Sequence, residues 1–219
     1  MISILMPIYN GINFIEESVS SILRQTYDNW ELIIGINGHH ANSQVYQTAK
    51  EYELRSNKIK VIDYVSIRGK SATLNEMVKE CKGQYIALLD VDDIWYDTKL
   101  EMQANKMGHY DVIGTRCVYF GELNGIVPDI PVGDIANHNF KAVNPIINSS
   151  SLILKELCWW DPNCFTGIED YDLWLRLRAK GHTFFNVSDI LVKHRIHNES
   201  AFNSKGNHLH VDKLIQSHN

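Results

Sequence analysis

Three carboxylates, Asp90, Asp92 and Asp93, fall within four positions at the end of the run Tyr85-Ile86-Ala87-Leu88-Leu89. An apolar run of this length bounded by polar residues reads as a buried strand. Carboxylates crowded at its end repel one another, and a cation relieves that repulsion. Asp90 and Asp92 are two apart, so they point the same way if the chain stays extended. Hard oxygen ligands of this kind suit Mg²⁺ or Mn²⁺, which commonly join a protein carboxylate to substrate phosphates. The plainer use is an acidic turn in which Asp93 or Asp97 caps the next helix.

The elements that would position these groups alternate in the N-terminal half. Strands are predicted at Ile2–Ile8, Glu31–Ile36, Ile59–Val65 and Tyr85–Leu89. Between them lie a helix carrying Phe14, Ile15, Val19, Ile22 and Leu23, a helix over Ser43–Leu54 and a helix over Gly69–Cys81 stopped by Gly83. Alternation of this sort implies βαβ units and a parallel sheet covered on both faces. In such sheets ligands bind at the carboxyl ends of the strands. The turns there are Tyr9-Asn10-Gly11, Asn37-Gly38-His39-His40 and Asp90–Asp93. The second half is less regular. It reads as a strand over Val112–Phe120, a loop or hairpin over Gly121–Pro131 and a polar, Pro-broken stretch over Gly133–Asn148. A strand at Ser151–Leu154, a helix over Asp170–Lys180 ended by Gly181, a last short strand at Ile190–Lys193 and a His-rich tail follow.

The 219 residues fit one α/β domain. With 44% hydrophobic and 21% charged residues, composition is that of an ordinary globular chain. A net charge of −5 without a Lys/Arg cluster argues against nucleic acid as a partner. No apolar run is long enough to span a bilayer, and no cleavable leader is visible. The four cysteines lack C-x-x-C spacing, which points away from zinc knuckles and redox pairs. The expected location is the cytoplasm, soluble, with a peripheral membrane association left open.

Six segments, in order, resemble family 2 glycosyltransferases of the GT-A fold. Ile2-Ser3-Ile4-Leu5-Met6-Pro7-Ile8-Tyr9-Asn10 resembles that family's first strand and turn. Ser21-Ile22-Leu23-Arg24-Gln25-Thr26-Tyr27 with Trp30–Ile34 is similar to its first helix end and second strand. Gly69–Asn75 resembles a helix entry, Gly83–Trp95 the Asp-x-Asp signature, Gly167–Leu177 the Glu-Asp acceptor motif, and His194-Arg195-Ile196-His197-Asn198-Glu199-Ser200 the closing Arg-x-His segment.

The resemblance implies a Rossmann-like α/β domain over about 1–200, with a mostly parallel central sheet and helices on both faces. Residues 1–110 would bind nucleotide, 111–200 the acceptor, and 201–219 would form a short tail. It implies an inverting, metal-dependent transfer from a nucleoside diphosphate sugar to a hydroxyl-bearing glycan, with Mn²⁺ or Mg²⁺ as cofactor. UDP-sugar is the favoured donor and GDP-sugar remains open. Asp92 would ligate the metal, Asp90 would face the ribose or the metal shell, and Asp93 is the competing ligand. His197 would complete the shell, with His194 as its rival. Asp170 is the expected general base, with Glu169 beside it, at a helix start whose dipole favours ionised carboxylates. Capping is the alternative for Glu169, Asp170 and Asp172. Tyr9 would flank the base, the backbone at Pro7 and Asn10 its edge, Lys70 the phosphates, and Asn75 the loop or the nucleotide. Trp159-Trp160 is a candidate acceptor platform, whereas Trp95 and Trp174 read as core.

Two departures stand out. The family's second strand usually ends Asp-Asp-Gly-Ser, but here it reads Ile36-Asn37-Gly38-His39. Asn37 can accept and donate, which opens guanosine, cytidine or thymidine beside uridine. Leu74 stands where many relatives place a phosphate-binding arginine. Two rival classes are a sugar nucleotidyltransferase and a catalytically silent nucleotide-sugar or glycan-binding module. The first predicts cations in the turn after the first strand, where Tyr9–Asn13 has none.

Overall fold

The computed structural model describes residues 1–164, 167–198 and 208–218. Its first half runs β1 (Ile2–Ile8), α1 (Ile15–Leu23), β2 (Trp30–Asn37), α2 (Gln44–Lys50), β3 (Ile59–Tyr64), α3 (Lys70–Glu80) and β4 (Tyr85–Leu88). β1 pairs in parallel with β2 and with β4, and β2 in parallel with β3. The near-continuous apolar sequence of β1 follows from cover on both faces. Ile2, Ile4, Met6 and Ile8 pack with Val19 and Ile22 of α1 in one core. The alternate residue Leu5 joins Ile33, and Leu74 and Met77 of α3, in a second core. Gly35 makes that second packing possible: a Cβ there would meet Met77 Sδ at 2.5 Å.

The second half adds β5 (Ile94–Trp95), α4 (Lys99–Ala104), β6 (Val112–Gly121), β7 (Gly133–Asp134), β8 (Leu152–Leu154), α5 (Glu169–Ala179), β9 (Phe184–Ile196) and α6 (His208–Ser217). Among the described residues, one sheet runs β3-β2-β1-β4-β8-β6-β9-β5, with β7 also on β9. β8 is antiparallel to both β4 and β6, β5 is antiparallel to β9, and β6 is parallel to β9. The sheet is therefore parallel in the first half and mixed in the second.

Predicted strands of the first half match within a residue or two. Two second-half elements, β9 and the tail, differ from the reading of the sequence, and α4 carries an unexpected buried face. β9 spans Phe184–Ile196, far beyond the expected Ile190–Lys193. An irregularity divides its pairing with β6, and polar Asn186, Ser188 and Asp189 interrupt its apolar pattern. Buried Asn186 is accommodated because its Nδ2 donates to Pro131 O and Pro145 O, at 2.7 and 2.8 Å. α4 hides its inner face behind polar residues. Lys99 is fully buried, with Nζ donating to Gln103 Oε1 at 2.7 Å and lying 3.9 Å from the Trp95 ring centroid. Burial pushes the Lys99 pKa far down. The tail is helical over His208–Ser217, where Val211, Leu214 and Ile215 pack against the core of α3 and α5. Residues 201–207 and the motif residues Glu199 and Ser200 lie outside the described residues. Among the described residues, no helix is long and apolar enough to cross a membrane.

Candidate active site

The acidic cluster sits where β4 releases the chain at the carboxyl edge of the sheet. A turn closes when Asp93 N donates to Asp90 O at 3.1 Å, and it sends the carboxylates in different directions. Asp93 is fully buried: Oδ2 meets His194 Nδ1 at 2.9 Å and Oδ1 accepts from Arg195 N at 2.8 Å. Asp92 Oδ2 meets His197 Nε2 at 2.8 Å. Asp90 accepts from Lys70 Nζ through Oδ1 at 2.8 Å and from Asn148 Nδ2 through Oδ2 at 2.7 Å. The two histidines reach this turn because β9 pairs with β5, Ile94 opposite Lys193. Arg195 locks the junction. Its Nε donates to Asp92 O, its head pairs with Glu17, and it lies over the rings of Phe14 and Phe120, 4.3 Å from each centroid.

The two histidines differ. Burial lowers the His194 pKa, but the adjacent Asp93 charge outweighs it and raises the ring to about 9. In this structure His194 Nδ1 is engaged with Asp93 rather than with Asp92. His197 faces Asp92 and packs on the Phe14 ring at 5.7 Å.

Lys70 joins the two halves. It starts α3, and its Nζ lies 2.8 Å from Asp90 Oδ1 and 3.2 Å from Glu169 Oε1 at the start of α5. Burial works against its charge, yet Asp90, Glu169 and Asp170 hold its pKa above the ordinary lysine range. Burial likewise opposes the Asp90 charge, but Lys70 outweighs that and holds its pKa down. For Asp92, burial and then Asp93 and Asp90 push the pKa up.

The acidic residues of α5 divide their tasks. Glu169 is 2% exposed and turns back to accept from Gly167 N while facing Lys70. Asp172 pairs with Arg176 at 2.7 Å and His218 at 3.1 Å. Asp170 is half-buried, with Asn144 Nδ2 at 3.5 Å, the outer limit of a hydrogen bond. Burial, and then the Glu169 charge, push Asp170 up to about 7. A carboxylate so placed can take a proton near neutral pH.

At the ends of β1 and β2, Asn37 Nδ2 donates to Ile67 O at 2.7 Å and to Thr73 Oγ1 at 2.6 Å. Ile67 O can only accept, so the orientation of the amide is set, and Oδ1 is the atom left for a partner. Tyr9 is exposed; its ring tilts against His39 at 5.6 Å and covers Gly38. Gly38 has φ +73°, and a Cβ there would meet the Tyr9 ring at 2.7 Å. Pro7 pairs with Gly35, and Asn10 is exposed at the turn. Asn75 is committed elsewhere. Its Nδ2 donates to Trp160 O at 2.7 Å and its Oδ1 accepts from Trp160 N at 2.9 Å. Trp160 is buried, and Trp159 is 52% exposed with Arg176 against its ring. Trp95 and Trp174 are buried.

Among the described residues, no group of three or more His, Cys, Asp and Glu side chains is placed to hold a metal ion. Mg²⁺ and Mn²⁺ commonly take only one or two protein carboxylates, with water and phosphate in the other positions. Asp92, facing the His197 imidazole, is the candidate carboxylate.

The profile of glycosyl transferase family 2 matches residues 3–165. This chain belongs to glycosyl transferase family 2. It is 30% identical to the putative glycosyltransferase EpsE of Bacillus subtilis, over 98% of this chain and 79% of that protein. It is also 30% identical to an Escherichia coli protein, over 94% of this chain and 81% of that one. The latter is named UDP-Glc:alpha-D-GlcNAc-diphosphoundecaprenol beta-1,3-glucosyltransferase WfgD. The family 2 chain spans only 36% of two Rickettsia relatives to which it is 29% and 30% identical. Its fold is GT-A. It superposes on S. aureus TarS 1–349 in complex with UDP-GlcNAc with TM-score 0.78 at 16% identity, covering 99% of this chain and 66% of that one. The Pyrobaculum calidifontis mannosyltransferase PcManGT, in complex with GDP-Man and Mn²⁺, gives TM-score 0.68 at 13% identity, with 91% and 58% covered. Membership makes this chain a glycosyl transferase family 2 domain.

Asn144, Asn148 and Ser149 belong to the site although no motif singles them out. The polar stretch Gly133–Asn148 holds Asn144, and the run Asn148-Ser149-Ser150-Ser151 before β8 is a turn signal.

Proposed function

We propose that this chain is an inverting, metal-dependent glycosyltransferase moving a sugar from a nucleoside diphosphate sugar to a glycan hydroxyl. The observation that carries this reading is the Lys70 bridge between Asp90 on the donor edge and Glu169 beside Asp170. It brings a diphosphate-side carboxylate cluster and a carboxylate of pKa about 7 to one edge of the sheet.

In this account Asp170 takes the proton of the acceptor hydroxyl as its oxygen attacks the anomeric carbon in line. The bond to the diphosphate oxygen breaks, and its electron pair leaves with the diphosphate. Glu169 stays in place, held by Lys70 and Gly167 N, and its charge keeps Asp170 basic. Asp92, with Asp90 and His197 beside it, would hold Mn²⁺ or Mg²⁺, which when bound neutralises charge on the leaving diphosphate. Asn37 Oδ1 offers an acceptor to a base that carries a ring N–H. Uracil, thymine and guanine have one and cytosine does not, so UDP or GDP is favoured over CDP. The UDP-GlcNAc and GDP-Man named for the two structural neighbours support that choice of class. The WfgD name supports a lipid-diphosphate-linked sugar as the acceptor class. Trp159, exposed beside α5, is a candidate platform for it.

Release of UDP from UDP-glucose or UDP-GlcNAc, or of GDP from GDP-mannose, tests the reading with and without Mn²⁺. Metal-dependent turnover that Asp170→Asn abolishes supports it. A folded chain that binds the nucleotide but turns over none of these, with any divalent metal and a lipid-diphosphate sugar present, makes it a binding module.

A further inference from the structure

Asn148 lies in the short 3-10 turn Asn148–Ser150 that leads into β8. Its Nδ2 donates to Asp90 Oδ2 at 2.7 Å, while Ser149 Oγ accepts from Asp90 N at 3.1 Å. The turn is gripped from buried neighbours through other atoms. Trp95 Nε1 donates to Ser149 O at 2.7 Å and Gln103 Nε2 to Ser150 O at 2.8 Å. Ser151 Oγ donates to Asn148 O at 2.7 Å. Gln103 is in turn held by buried Lys99. These main-chain anchors hold the turn without the Asn148 side chain, whose amide is directed at Asp90.

Lys70 occupies the other oxygen of Asp90. One donor alone would let the carboxylate plane swing about χ2, a broad torsion for aspartate. Two donors on opposite oxygens, both from well-anchored elements, hold that plane in one setting. Because ionised Asp90 only accepts, the Asn148 amide must present its nitrogen there.

We propose that Asn148 is a positioning residue for glycosyl transfer: with Lys70 it presets the Asp90 carboxylate beside Asp92 before the nucleotide sugar arrives. This inference rests on the glycosyltransferase reading above. Preorganised site groups depend on such supporting contacts, and a misplacement of a fraction of an ångström is costly to rate.

The test uses the full chain and the nucleoside diphosphate, UDP or GDP, released from the donor that wild type turns over, titrated with Mn²⁺. Asn148→Ala is expected to lower kcat/KM for that donor about 10- to 100-fold, the range for a lost hydrogen bond to a charged group. It should also raise the Mn²⁺ concentration giving half-maximal rate, while the melting temperature stays within about 3 °C of wild type. Asn148→Ser keeps a donor hydroxyl and should recover part of the loss. Asn148→Asp keeps the shape but faces Asp90 with a second carboxylate, so it should be no better than Ala. A space-filling role predicts the reverse order, with Asp best. That order, or wild-type metal dependence in all three variants, overturns the proposal. Wild type that neither binds nor turns over any nucleotide sugar overturns the glycosyltransferase reading itself.

Discussion

Replacing Lys70 with methionine keeps a long side chain and removes its charge. In the native protein that charge lies 2.8 Å from Asp90 and 3.2 Å from Glu169. The Glu169 side chain is 3% exposed, so water cannot take the place of the ammonium. Leaving a buried charge without its partner costs about 3–5 kcal/mol. Lys70 and Asp90 retain 23% and 26% exposure, and Asp90 keeps Asn148, which favours the lower end. A loss of about 3 kcal/mol corresponds to roughly 6–12 °C in Tm for a domain of this size. The assay is thermal unfolding at pH 7.5 of wild type, Lys70→Met, Glu169→Gln and the double variant. The glutamine side chain of Glu169→Gln is neutral and can still accept from Gly167 N, so the cation is no longer needed. The double variant should therefore melt within about 3 °C of Glu169→Gln, with a coupling of about 2 kcal/mol. Lys70→Met melting within about 2 °C of wild type, or strictly additive losses, would refute the bridge as a buried pair.

Asp170→Asn should leave nucleotide binding within about twofold while transfer falls at least about 100-fold, as expected for loss of a general base. Retained transfer removes Asp170 from that role. With Asp170 at about 7, the wild-type rate should climb with pH through that value and level off above it; a flat profile from about pH 5.5 to 8 would contradict it. Stability has the matching sign. The folded pKa lies above the ordinary 3.8, so the favourable contribution is full below 3.8 and lost as pH rises through about 7. Asp170→Asn should thus be the more stable protein at about pH 8, with the gap closing toward about pH 4, and a gap independent of pH would count against the shift. Trp159→Ala should raise the acceptor KM without changing the donor KM or the melting temperature; an unchanged acceptor KM removes Trp159 from the acceptor path.

Much of this fold was legible because its first half obeys strong rules. β1, β2 and β4 are apolar runs that only a doubly covered parallel sheet explains, and each ends at a Gly or Asp turn. Ser43, expected at the start of a helix, is the N-cap of α2 and accepts from Tyr46 N. The second half resisted because polar residues sit on buried faces. Asn186 interrupts β9 with its Nδ2 held by two proline carbonyls, and Lys99 and Gln103 occupy the inner face of α4. Neither pattern has the period of an apolar stripe.

The site shows the same division. Asp90, Asp92, Glu169, Asp170, Lys70 and His197 were visible as polar residues with chemistry at element ends. What each oxygen touches was not, since it depends on pairs such as Lys70 with Glu169, 99 positions apart in sequence. Asp93 illustrates the point: adjacent to Asp92, it faces inward to His194 and Arg195 N. Asn148 carries no charge and belongs to no spacing pattern, so only the packing of β8 against β4 reveals it.

The central claim is metal-dependent binding of a nucleoside diphosphate at the Asp90–Asp92 edge. Its most direct test is a thermal-shift panel of UDP, GDP, CDP and dTDP, each with Mn²⁺ and with EDTA, on wild type and Asp92→Asn. At about 100 times Kd a ligand stabilises by about 2.7 kcal/mol, or roughly 5–11 °C here. The account predicts a shift of that size with UDP or GDP, dependent on Mn²⁺, absent with CDP and lost in Asp92→Asn. No shift with any nucleotide on folded wild type, or a shift that EDTA and Asp92→Asn leave unchanged, would contradict it.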